Sequence, residues 1–98
     1  MNKMKFDVKC VKDCLKNNGR VFTVRSWGGS AQESVVEVEG IGACDKYRIG
    51  RVSGIKSIER YVKLSGFRYV DEWWNAIARF GANDGYLFLV VKKRGNHV

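Results

Sequence analysis

The sequence predicts an α+β fold in which five strands and three helices surround one core. Three observations lead to this prediction. Residues 20–27 alternate apolar and polar side chains, which is the period of a strand. Residues 70–80 space their apolar side chains as a helix does. Between these segments, Gly50 and Gly54 interrupt a long alternating stretch, which indicates a β-bulge or a close backbone approach and so a bend in the sheet.

The amino-terminal part predicts a strand followed by a helix. Residues 4–8 are short and alternating, whereas residues 9–17 change to helical spacing. Cys10 and Cys14 fall on the apolar side of this helix and are expected in the core. Gly19 supplies the left-handed conformation in which helices commonly end.

The second strand, residues 20–27, contains the central candidate site. Alternation places four side chains on one face of the strand: Val21, Thr23, Arg25 and Trp27. A hydroxyl, a guanidinium and an aromatic ring could converge there on a phosphate or a base edge. Polar alternation is also the ordinary pattern of a half-buried strand. Both interpretations stay open at this point.

The remaining segments complete the order β-α-β-β-β-α-α-β. The predicted strands are residues 35–39, 46–55 and 86–92, and the predicted helices are residues 58–64 and 70–80. The last predicted helix has Asp71 and Glu72 in its first turn, where the helix dipole favours acids, and Gly81 at its end. Its apolar stripe places Trp73 and Phe80 in the core.

Composition predicts a single, strongly basic domain. The 98 residues are 45% hydrophobic and carry 18 Lys and Arg against 10 Asp and Glu, a net charge of +8. We expect one domain over residues 1–98, with a core over residues 4–92 and a basic tail over residues 93–98. A positive excess of this size indicates a polyanionic partner.

Several classes of protein are disfavoured. Cys10, Cys14 and Cys44 form no metal-binding spacing, and the single histidine is His97, so we expect neither a metal site nor another cofactor. The longest uncharged apolar stretch, residues 86–91, is far shorter than the roughly 20 residues that span a bilayer. An odd number of thiols is typical of a reducing compartment, so we expect a cytoplasmic location.

Three segments carry a resemblance to a known family. Residues 14–25 combine a helix that ends at a glycine with a basic residue and a Thr-x-Arg strand. Residues 63–73 join a Gly-Phe segment to acids that open a helix, and residues 86–91 form a closing apolar strand. In this order and spacing, the segments resemble the ASCH domain, a branch of the PUA-like superfamily. The resemblance implies a small curved β-barrel flanked by helices, a cleft lined by the basic strand, and a role in RNA metabolism.

The resemblance also bears on catalysis. In the acetylcytidine amidohydrolase branch of this family, a lysine, a threonine and a glutamate serve the reaction. The resemblance aligns the lysine with Arg20 and the threonine with Thr23, but the glutamate falls near Ser65 or Gly66, where no carboxylate stands. An arginine keeps its proton at a pKa above about 12 and does not serve as a general base. We therefore expect binding rather than catalysis; were the chain an enzyme, Arg20, Thr23 and Glu72 would be its candidates.

The leading hypothesis is RNA binding through a basic cleft. The candidate binding residues are Arg20, Thr23, Arg25, Trp27, Lys12, Lys16, Arg48, Arg51 and Arg68. A small hydrolase of acylated nucleosides or of RNA phosphodiesters is the alternative. A third hypothesis is a protein-interaction module that binds an acidic protein partner. Exposed tryptophans are also typical of protein interfaces, so a homodimer stays among the expected partners.

Overall fold

The computed structural model describes residues 2–26 and 33–93, in which a five-stranded mixed sheet curls into a half-barrel. The strands are β1 (Asn2–Met4), β2 (Arg20–Arg25), β3 (Glu33–Val38), β4 (Gly42–Arg51) and β5 (Tyr86–Lys92). Their spatial order is β1-β3-β4-β5-β2, and only the β1–β3 pair is parallel. The helices are α1 (Lys9–Asn18), two 3-10 helices (Ile55–Ser57 and Glu59–Leu64) and α2 (Val70–Arg79).

The α+β class is confirmed, but several elements differ from the prediction: β3 begins two residues earlier than predicted, and the 3-10 helix Ile55–Ser57 was not predicted. The first strand is Asn2–Met4 rather than residues 4–8, because the chain leaves the sheet after Met4 to enter α1. The strand predicted over residues 46–55 is Gly42–Arg51, because its first half also pairs with β3. The helix predicted over residues 58–64 is a 3-10 helix that no side chain caps.

The predicted bend in the long strand is confirmed. The pairing of β4 with β5 shifts by one residue between Arg48 and Gly50, which is a β-bulge. The extra residue is Ile49, whose side chain is 44% exposed. A bulge increases the local twist, and this favours curling of the sheet.

The two faces of the sheet are covered by different helices. On one face, called here the inner face, Leu15 of α1 packs against Val21 and Val90. On the outer face, Trp73 of α2 packs in a second apolar cluster with Leu87. Phe80, which the sequence places in the core, is instead 57% exposed because it follows the last turn of α2. None of the helices in the described residues is long and apolar enough to cross a membrane.

One hydrogen bond joins the two edges of the curled sheet. The Arg25 guanidinium of β2 donates to the carbonyl oxygen of Lys5, just beyond β1, at 3.1 Å. In a flat sheet, four strand spacings of about 4.8 Å would separate these edge strands. A single side chain can bridge them only because the sheet curls, and the inner face is therefore its concave side.

Candidate functional site

A cavity of about 220 Å³ lies beside the end of β2, between the start of α1 and α2. Its polar lining consists of Asp7, Thr23, Arg25 and Ser26. Its apolar lining consists of Phe6, Val8, Val11, Val24, Phe67, Trp73, Ala76, Ile77, Phe80 and Ala82. Two residues of the predicted site, Thr23 and Arg25, therefore line the same hollow.

Arg25 contacts the segment of chain between β1 and α1. Its terminal nitrogen donates to the Lys5 carbonyl oxygen, and its guanidinium carbon lies 4.9 Å from the centroid of the Phe6 ring. Its Nε is buried without a hydrogen-bond partner, the single such side-chain atom among the described residues. Burial lowers the pKa of Arg25, and the nearby Asp7 carboxylate acts in the opposite direction. Arg25 thus keeps an unused, partly desolvated donor.

Strand register brings further cations to the inner face beside Arg25. Phe88 of β5 stands directly between Thr23 of β2 and Arg48 of β4, so all three side chains lie on the same face. Lys46, two residues before Arg48, places its amine 4.8 Å from the Phe88 ring centroid. Arg48 places its guanidinium 5.4 Å from the ring centroid of Tyr86. We call Thr23, Arg25, Lys46 and Arg48 the cationic face.

The positive groups of the cationic face influence one another. Burial lowers the pKa of Lys46, and the charge of Arg25 lowers it further. Residues 2–26 and 33–93 contain three ion pairs, Lys5–Asp7, Lys9–Asp13 and Lys93–Asp45, and neither Arg25 nor Lys46 takes part in any of them. Two mutually repelling cations without a bound carboxylate form a suitable site for an anion.

Arg20, a central residue of the predicted cleft, lies elsewhere. It stands five positions before Arg25, about 16 Å along an extended strand. Alternation also turns it to the opposite face from Thr23 and Arg25. Its side chain is exposed and does not line the cavity. Although Arg20 is close to Thr23 and Arg25 in the sequence, it does not share a cleft with them.

The other predicted binding residues divide between the site and distant surfaces. Arg51 is exposed at the end of β4, opposite Tyr86, and so lies at the rim of the cationic face. Lys12 and Lys16 lie on α1, away from the lining of the cavity, and Lys16 is exposed. Arg68 is exposed on the segment that precedes α2. Trp27 lies outside the described residues.

The carboxylate in the cavity wall is Asp7, which the sequence analysis did not select. The candidate acid Glu72 is exposed on the first turn of α2 and does not line the cavity. Asp7 was not selected because it falls within the strand predicted over residues 4–8. Asp7 stands two residues before the start of α1, and no pattern in the sequence marks it as part of a site. Lys46 was also missed, although it alternates in phase with Arg48.

Ser65 and Gly66, where the family resemblance places a glutamate, have structural roles in this chain. Ser65 is fully buried; its hydroxyl donates to the Val62 carbonyl oxygen at 2.7 Å and accepts from the Phe67 amide at 3.0 Å. A Cβ at Gly66 would lie 2.5 Å from the carbonyl oxygen of Cys10. Neither position has room for a catalytic carboxylate.

The thiols offer no reactive group. Burial raises the pKa of Cys10, Cys14 and Cys44, so each thiol is kept in its unreactive, protonated form. Within the part of the chain that the structure describes, no three Cys, His, Asp or Glu side chains gather in a way that could hold a metal ion. The chemistry of the site therefore rests on guanidinium, ammonium, hydroxyl and carboxylate groups.

Comparisons with known proteins leave the family open. No protein-family model matches the chain, and no similar protein was found among curated proteins or solved structures. The resemblance to the ASCH domain stays a prediction from the three segments that carry it. Function must therefore be inferred from the cavity and the cationic face themselves.

Proposed function

We propose that this chain is a PUA-like ASCH domain that binds RNA through the cationic face. The observation that carries the proposal is the pair Arg25 and Lys46: two cations on the inner face, one lining the cavity and the other over the Phe88 ring, with no ion-paired carboxylate among the described residues. Bringing like charges together is unfavourable unless an anion joins them. The net charge of +8 would attract a polyanion to this face over a longer range.

Phosphate contacts are expected to dominate the affinity. An arginine guanidinium can donate two parallel hydrogen bonds to the oxygens of one phosphate, and the Thr23 hydroxyl can donate one further hydrogen bond. If about five phosphates of a single strand are neutralised, log affinity falls with log salt concentration at a slope of roughly −3.5. An affinity that does not depend on salt would contradict the proposal.

The test is fluorescence anisotropy with a labelled, unstructured single-stranded RNA. Lys46→Gln removes one charge from the cationic face, and Lys63→Gln removes one charge from an exposed position on the second 3-10 helix. We expect Lys46→Gln to weaken binding about tenfold and to reduce the salt slope by about 0.7, since one phosphate contact is lost. Lys63→Gln should weaken binding by less than about twofold.

Two results would contradict RNA binding at this face. Equal losses from Lys46→Gln and Lys63→Gln would show attraction by net charge alone. The second is that the immobilised chain shows no measurable RNA affinity but retains an acidic protein after nuclease treatment. This would favour the interaction-module hypothesis instead.

A hydrolase of acylated nucleosides is a second candidate, which one observation favours. Asp7 and Thr23 line the same cavity, so a carboxylate that could move a proton accompanies the hydroxyl. Turnover of acetylcytidine should then be lost in Asp7→Asn and retained in Glu72→Gln, because Glu72 does not line the cavity. Turnover that survives Asp7→Asn, or none in the unaltered chain, would exclude this candidate.

A further inference from the structure

The cavity beside β2 has two chemically different ends. Thr23 and Arg25 contribute polar groups, whereas Trp73, Ile77 and Phe80 contribute an apolar, largely aromatic wall. Its volume of about 220 Å³ exceeds the roughly 150 Å³ of a protein cavity that accepts benzene, and it lies below the ~300–1,000 Å³ of drug-sized sites. An occupant of matching size has one ring and one small polar group.

The polar end of the cavity contains two groups that can donate hydrogen bonds and have no partner among the described residues. Arg25 Nε is buried and unpartnered, and the Thr23 hydroxyl, on a residue only 8% exposed, makes no hydrogen bond with any described residue. The start of α1 adds a third source of positive potential, because Val8 at its N-cap makes no side-chain cap and its first turn contains no acid. Both Val8 and Val11 line the cavity.

Asp7 does not fill the missing acceptor role. Its carboxylate lies 3.9 Å from the Lys5 amine and forms no ion pair with Arg25. Its side chain is 62% exposed, so solvent screens its charge, which acts on Arg25 through space and raises the pKa of Arg25 without occupying its Nε. The donors at the polar end therefore remain available to a ligand that brings its own negative charge.

We propose that this cavity binds a small organic monocarboxylate whose body is a single apolar ring. The carboxylate lies against Arg25, Thr23 and the start of α1, where charge-assisted hydrogen bonds satisfy the unpartnered donor. The ring lies against Trp73 and Phe80, where aromatic surfaces pack well. The site shares Thr23 and Arg25 with the cationic face but does not include Lys46 or Arg48. The proposal goes beyond RNA binding, because its ligand occupies the cavity and does not need those two cations.

The test is a titration of the full chain with phenylacetate, followed by amide chemical shifts and by calorimetry. Phenylacetamide serves as the neutral analogue of the same shape. We expect phenylacetate to bind with a dissociation constant of about 1 mM or lower and phenylacetamide to bind at least about tenfold more weakly. The shifted amides should include Thr23, Ser26 and Ala76, which line the cavity.

Two variants separate the ring from the carboxylate. Ala76→Leu fills the apolar end and leaves Arg25 in place, so it should weaken phenylacetate at least about tenfold. Ala78→Leu, exposed on the same helix, is the matched control and should leave the affinity unchanged. Arg25→Gln removes the charge and should abolish the preference for phenylacetate over phenylacetamide. Lys46→Gln should weaken RNA binding about tenfold and keep phenylacetate affinity, because Lys46 does not line the cavity, so failure of one proposal is distinguishable from failure of the other.

Four outcomes would overturn this inference. They are equal affinity for phenylacetate and phenylacetamide, affinity unchanged by Ala76→Leu, no binding up to about 10 mM, and inorganic phosphate binding as tightly as phenylacetate. If Arg25→Gln fails to fold, the comparison of Ala76→Leu with Ala78→Leu still decides whether the ring occupies the cavity.

Discussion

The inner face of the sheet has two halves, and they differ in what covers them. Beneath α1, the inward positions of β2, β4 and β5 hold Val21, Cys44 and Val90, all fully buried. The next inward positions along these strands hold Thr23 and Phe88, which are also buried, and Lys46, which is half-buried. We call these positions the open half, because Thr23 lines the cavity and Lys46 keeps part of its surface in solvent. The same strands and the same alternation therefore supply an apolar core at one set of inward positions and a hydroxyl, an amine and a buried ring at the next.

The two parts differ in the chemistry of what lies over them: apolar side chains of α1 cover the first part, called here the covered half, whereas the Lys46 amine lies over the buried Phe88 ring. Leu15 of α1 closes the covered half and excludes water from it. In the open half, Lys46 is partly desolvated against Phe88, which lowers its pKa and is unfavourable for stability. Groups that cost stability at a concave surface are typical of binding sites.

The largest predicted effect contrasts one substitution in each half. Leu15→Ala removes a fully buried side chain from the covered half and should lower the free energy of unfolding by about 3 kcal/mol. Thr23→Val removes a hydroxyl that has no partner among the described residues and should change it by less than about 0.5 kcal/mol. Urea denaturation measures both values.

Lys16→Ala is the control for that contrast, because Lys16 is exposed on the same helix. Its effect should stay within about 0.5 kcal/mol. A loss of stability in Thr23→Val as large as that in Leu15→Ala would show that the open half is an ordinary part of the core.

A second prediction concerns the fit of α1 onto the covered half. Gly66 has φ = +92°, and a Cβ there would lie 2.8 Å from the carbonyl carbon of Cys10 in the first turn of α1. Gly66→Ala should therefore destabilise the protein by about 2 kcal/mol or more. Gly81→Ala, also at positive φ but with open space around it, should cost only about 1 kcal/mol. Thermal unfolding of the two variants measures the loss of stability in each. Equal losses would mean that backbone strain alone, without contact to α1, accounts for the effect of Gly66→Ala.

The smallest predicted effect is a change of pKa in the open half. Arg25→Gln removes the neighbouring charge, so the pKa of Lys46 should rise towards its ordinary value of 10.5. NMR titration of the Lys46 side-chain methylene beside the amine measures this change. Glu72→Gln is the control, because Glu72 is not among the groups that influence Lys46.

The same pKa sets the sign of a dependence on pH. The folded chain holds the Lys46 proton less tightly than the unfolded chain does, because the folded-state pKa is lowered. The free energy of unfolding therefore gains a contribution as pH rises through that lowered pKa towards 10.5. Arg25→Gln should reduce this gain, whereas a gain unchanged in Arg25→Gln would show that Arg25 does not act on Lys46.

Local patterns in the sequence determined most of the elements. The apolar side of α1, with Val11, Cys14 and Leu15, follows from helical spacing, and all three are buried. The bulge beside Gly50 and the acids at the start of α2 follow from short-range rules in the same way. These features were predictable because backbone geometry and neighbouring side chains set them within a few residues.

Membership of the candidate site was decided only by tertiary structure. Alternation places Thr23 and Arg25 on one face, but only the pairing of β2 with β5 and of β5 with β4 places Arg48 in the row of Thr23 and Lys46 on the same face. Only the curl of the sheet brings Arg25 to the chain beyond β1. Strand register and sheet curvature depend on contacts between residues far apart in the chain, and one-dimensional patterns do not contain them.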